Sequence, residues 1–224
     1  MRNQRTSSGL SHQIGRMAED ATRKYPGGTE RAELAKGHPD FGSRFHALLD
    51  RLAADRLPIA QRLAWRTIQL GTGLKSAESF VNAIQKAGGE VSDNSEDIMS
   101  REAFTVANRP AQLDLVIVTT AELFRPAATR GQIYGKAISL GLSLCPAETG
   151  PQLRLQYPDQ PSGEQRLIAM VPIADSSGYL HVFCVENGDI GPSLSTEYGR
   201  PDLVWNDRSR WVFCRKSEKE KEVV

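Results

Sequence analysis

No run of about 18 apolar residues exists in this 224-residue chain, so nothing in it reads as a membrane-spanning helix. Cysteine is scarce: only Cys145, Cys184 and Cys214. An odd, widely spaced set is no disulfide framework, and without a CxxC or a Cys/His cluster it offers no zinc site. Met1–Asp20 carries charge but no apolar segment of the signal-peptide kind, and the default compartment is the cytoplasm. GxxxxGKS/T, GxGxxG after a strand, HExxH and GxSxG are all missing, which argues against the commonest nucleotide, dinucleotide, zinc-protease and serine-hydrolase sites. No metal and no cofactor is expected. Neither sign of charge dominates either. With 28 basic and 27 acidic residues the net charge is +1, so the protein as a whole is not built to coat nucleic acid or an anionic membrane.

What charge there is lies unevenly. Residues 1–72 hold 12 Lys/Arg against 7 Asp/Glu, a net +5, and the remainder a net −4. Residues 1–42 are rich in Gly, Ser and charge and poor in large apolar side chains, and they read as a flexible basic arm. Phe45, Leu48, Leu49 and Leu52 then repeat at helical spacing, and Pro58 stands at a helix start ahead of Ile59, Leu63 and Ile68. These predict a helical hairpin, 43–56 and 58–70. A helix over 75–87 ends at Gly88-Gly89. Residues 90–112 read as mostly polar turns.

Leu113–Thr119 is β-branched and nearly continuous, a buried strand. Thr129–Gln132 is a capping box that opens a helix over 130–140. Leu153, Leu155 and Tyr157 alternate with Gln152, Arg154 and Gln156, the two-residue period of a half-buried strand. Leu167–Ile173 and Tyr179–Val185 flank the turn Asp175–Gly178 as a β-hairpin. Leu194–Tyr198 and Arg210–Arg215 add strands. Val116, Ile117, Leu155, Met170 and Phe183 are the expected core.

The sequence therefore predicts an α+β fold. A flexible basic arm occupies 1–42 and an N-terminal helical hairpin 43–72. A mixed domain with a mainly antiparallel sheet and one or two covering helices occupies 73–216, and a charged tail 217–224.

Chemistry-bearing residues crowd Leu144–Tyr157. Cys145 is a candidate nucleophile, with His181 as base and Glu148 to orient it, the order of roles a thiol catalyst needs. Glu148, Gln152 and Arg154 are candidate ligand-binding residues, because a guanidinium can clamp a carboxylate or phosphate bidentately. The same Arg could instead pair with Glu148. Trp205, in the loop before the last strand, is a candidate aromatic contact. Trp211 and Phe213 share one strand face, which reads as core. Asp175, Asp189, Asp202 and Asp207 lie in turns without the spacing of a cation loop.

The blocks LCPAETGPQLRLQY, IAMVPI with DSSG, HVFCV and WNDRSRWVFCR resemble, in order and spacing over about residues 70–215, an uncharacterised bacterial domain family. The resemblance implies a self-contained bacterial domain and no particular activity. The first expectation is thus a non-catalytic binding or accessory module of a bacterial cytoplasmic system, with another protein as partner. The second is a small hydrolase or transferase using Cys145, Glu148 and His181. The third is nucleic-acid contact through residues 1–72.

Overall fold

The computed structural model describes Ile59 and residues 62–215. The chain divides into two compact units, Met1–Arg56 and Leu57–Val224, and the described residues belong to the second. The expected arm over 1–42, the hairpin's first helix and the tail over 217–224 lie outside the described residues.

Strand β1 (Arg66–Leu70) leads to helix α1 (Ala77–Lys86), β2 (Glu90–Val91), helix α2 (Asp93–Met99) and the long β3 (Ala111–Thr119). Next come α3 (Thr120–Leu123), β4 (Ala127–Thr129), α4 (Arg130–Ser139), β5 (Leu142–Ser143) and α5 (Thr149–Gln156). The chain finishes in β6 (Glu164–Ile168), β7 (Ile173–Ala174), β8 (Leu180–Gly188), β9 (Gly191–Tyr198), β10 (Val204–Asn206) and β11 (Arg210–Arg215). Nine strands make one sheet in the order β1-β3-β11-β6-β8-β9-β2, with β5 added on β11 and β7 on β8. Neighbours are antiparallel except β11–β6 and β2–β9. Strands β4 and β10 form a separate antiparallel pair.

This corrects the fold expectation. The described region is a strand-rich, curled sheet, 36% strand and 26% helix, and no N-terminal helical hairpin is seen in it. Five helices, rather than one or two, accompany the sheet among the described residues. Where the second hairpin helix was expected to end, Arg66–Leu70 is strand β1, antiparallel to β3 with Ile68 opposite Leu113. The physical reason is in the residues: Ile68 and Leu70 are buried while Thr67 and Gln69 face out, a period of two that suits a sheet edge. A second correction concerns residues 152–157, expected as a strand. Thr149–Gln156 is helix α5. Residues 149–154 are all buried, so alternation of polar and apolar side chains there does not mark an inside and an outside.

The other main elements follow local signals. Ser76 caps α1 by accepting from the Ser79 amide, and Phe80 and Ile84 face inward. Thr129 and Gln132 make the reciprocal capping box of α4. Ser92 caps α2, a helix hidden in the polar stretch DNSED. β6, β7 and β8 realise the hairpin around Asp175–Gly178. On one sheet face Trp211 and Phe213 stand opposite Val118 and Val116, and Tyr134 of α4 meets both rings edge-on at 5.5 and 5.8 Å. On the other face Phe183 packs under α5 and meets Phe104, which in turn meets Phe80. Of the expected core, Val116, Met170 and Phe183 are fully buried and Ile117 and Leu155 partly so.

Candidate functional site

Helix α5 carries most of the residues singled out by sequence, and its local chemistry explains its position. Pro151 occupies the first helical turn, where its missing N–H would have no partner in the helix anyway. Gly150 lets the helix lie directly on β8: a Cβ there would fall 2.5 Å from the Phe183 ring.

One face of α5 presents Glu148, Gln152 and Gln156, spaced by four residues and so stacked along the helix. Glu148 is completely buried. Its carboxylate accepts from the Gly71 amide at 2.8 Å, the Ala107 amide at 2.7 Å and the Gln152 side chain at 2.9 Å. Gly71 has φ 65°, and a Cβ there would sit 2.3 Å from the Arg109 carbonyl, so only glycine brings that amide in. Gln152 also donates to Thr72 Oγ1 at 2.7 Å. Gln156 accepts from the Gln69 amide at 2.8 Å and donates to the Gln69 carbonyl at 2.9 Å, and it reaches Gln152 at 3.0 Å. Apart from the two bonds within the ladder, Gln152 to Glu148 and Gln156 to Gln152, the hydrogen bonds of these side chains tie the helix to the loops around 71 and 107 or to strand β1.

Arg154 points away from that ladder. It is 5% exposed, and no ion pair to a carboxylate holds it among the described residues. Nη1 donates to Gln160 Oε1 at 2.6 Å and the Glu186 carbonyl at 3.0 Å, and Nη2 donates to the Tyr157 carbonyl at 2.5 Å. Burial pushes the guanidinium below its ordinary value. Arg154 also lines a pocket of about 90 Å³ whose other walls are apolar or backbone: Ile84, Ala87, Gly89, Leu155, Pro158 and Pro192. The Glu148–Arg154 pair open to the sequence is therefore not made.

The structure does not join the catalytic candidates either. Cys145 is buried, its thiol donates to the Val212 carbonyl at 3.4 Å, and burial together with neighbouring Cys214 pushes it well up, against nucleophilicity. His181 Nε2 bonds Asp175 at 2.9 Å and its ring stacks on Tyr198 at 5.4 Å. Burial opposes ionisation of Asp175, but the Tyr179 and Ser177 amides and His181 outweigh it and hold the carboxyl below its ordinary value. That set locks the hairpin turn. Among the hydrogen bonds of the described residues, none links His181 to Cys145 or Glu148. Trp205, expected in a loop, lies in β10 and is half-buried, edge-on to Trp211 at 5.0 Å.

The sequence singles out Glu148, Gln152 and Arg154 and sets Gln156 beside them, but not Gln160 and Gly71, which complete their networks. The four-residue spacing of Glu148, Gln152 and Gln156 was the available signal. No protein-family model, curated protein or solved structure matches the chain.

Proposed function

We propose that the chain is a non-catalytic binding module, an accessory component of a bacterial cytoplasmic system, and that it recognises its ligand or partner at the Arg154 pocket. One observation carries this reading. Arg154, whose buried guanidinium is held only by neutral acceptors, lines a small pocket with no other charged side chain in its walls. An unpaired buried charge costs stability, and a protein that keeps one gains most if something else completes it. The groups a reaction would need support binding over catalysis. Glu148 is committed to two backbone amides, Cys145 is a buried protonated thiol, and His181 is spent on a turn. The hydrolase or transferase reading would need Cys145 and His181 to share a substrate, and no geometry here favours it.

Titration of the isotope-labelled full chain with a small set of cationic, neutral and anionic fragments tests the reading. Backbone amide shifts should move at 84–89, 154–157, 191 and 193. Shifts confined to other parts of the sheet, or no shifts with any fragment, would remove this pocket as the recognition site.

A further inference from the structure

Resting on that reading, we infer that the Arg154 pocket takes a single carboxylate carried on a short apolar stem. Three features of the pocket narrow the ligand to this class. The first is charge. The guanidinium has no carboxylate of the protein paired with it, so the favoured guest is an anion. The second is donor count. Arg154 spends two N–H groups of Nη1 and one of Nη2 on Gln160, Glu186 and Tyr157, which leaves one on Nε and one on Nη2. Two remaining donors match the two oxygens of a carboxylate. A phosphate would bring further oxygens, and the lining offers no other charged or polar side chain to receive them, only Ile84, Ala87, Leu155 and the two prolines around Gly89. The third is size. At about 90 Å³ the pocket is well under the ~300 Å³ at which whole drug-sized ligands are held, so it accepts a terminus and not a large body. The apolar walls reward methylenes next to that terminus.

This chemistry has two sources, a free short-chain acid and the C-terminal carboxylate of a peptide ending in an aliphatic residue. Calorimetry and amide-shift titration of the full chain with butyrate, butanol, butylamine and a pair of identical peptides ending in a free or an amidated leucine separate them. Butyrate is expected to bind with roughly millimolar affinity, as befits a handful of atoms. Butanol, butylamine and the amidated peptide are expected to bind at least tenfold more weakly than their carboxylate counterparts. A free-acid peptide tighter than butyrate assigns the site to chain ends; butyrate binding without the peptide assigns it to small acids.

Two variants guard the result. Arg154→Met should abolish binding. Should that variant fold poorly, Ala87→Leu narrows the pocket from an exposed position and leaves the guanidinium and its bonds in place. It should melt like the parent and lose butyrate at least tenfold. Equal binding of butanol and butyrate at the pocket would overturn the carboxylate inference while leaving the pocket reading intact. Butyrate affinity unchanged in Ala87→Leu would overturn the inference outright, and absence of any fragment at the pocket would end both.

Discussion

The two sides of helix α5 treat buried polarity in opposite ways. On one side Glu148, Gln152 and Gln156 satisfy one another and the backbone of β1 and the loops at 71 and 107. On the other, Arg154 keeps its charge with three neutral acceptors and no counter-charge. The difference separates a group used for architecture from one with capacity to spare. Burial and hydrogen-bond number look alike on both sides. What distinguishes them is spare capacity: both charges are met by neutral partners alone, but Arg154 uses only three of its five N–H groups.

The largest effect should come from the architectural side. Glu148→Ala leaves the Gly71 and Ala107 amides without acceptors. At ~1–3 kcal/mol for each orphaned buried donor, the loss should reach about 3–5 kcal/mol. Chemical denaturation would measure it, and a loss under 1 kcal/mol would show that water replaces the carboxylate and that the ladder is not structural. Arg154→Met should cost less, about 1–3 kcal/mol. Three acceptors lose a donor, but the expense of burying an unpaired cation is relieved at the same time. If it proves the costlier of the two, Arg154 and not Glu148 is the architectural group.

Gln156→Ala should cost only about 1 kcal/mol, since Gln156 is partly exposed. Its sharper sign is local: the Gln69 amide should exchange with solvent faster while β3 amides keep their protection. The smallest effect concerns another carboxylate, on strand β9. Burial and the nearby Glu186 push Glu197 above its ordinary value. Because its folded-state value is the higher one, its ionisation opposes folding, and stability is lost as pH rises through that value. Glu197→Gln should therefore raise the melting temperature near pH 7 and change it little near pH 4. An equal shift at both pH values would rule out the charge as the cause.

Strands and caps with strong local signatures were legible in the sequence. Leu113–Thr119, the hairpin around Asp175–Gly178, the capping box at Thr129 and the helix begun by Ser76 all needed only near neighbours to declare themselves. Two of the segments that differ from the sequence expectation depend on distant partners. Ile59, Leu63 and Ile68 suggested a helix, but Arg66–Leu70 is decided by its pairing with Ala111–Leu115, some 45 residues away. Residues 152–157 alternate like a strand, yet Gln152 and Arg154 are buried because Thr72, Gln160 and Glu186 receive them. Their polarity reports distant hydrogen bonds, which no local pattern can show. The site was legible as a list of residues and not as an arrangement. Glu148 and Arg154, six positions apart, serve different neighbours.

Gln156 has a consequence for how molecules of this protein meet one another. Among the described residues β1 ends the sheet, and a terminal strand invites a foreign strand to dock on its outward amides and carbonyls, the first step toward aggregates. By giving Gln69 both a donor and an acceptor, the side-chain amide of Gln156 imitates the missing neighbour at that residue. A single glutamine thus occupies, at that residue, the backbone groups that an incoming strand would need.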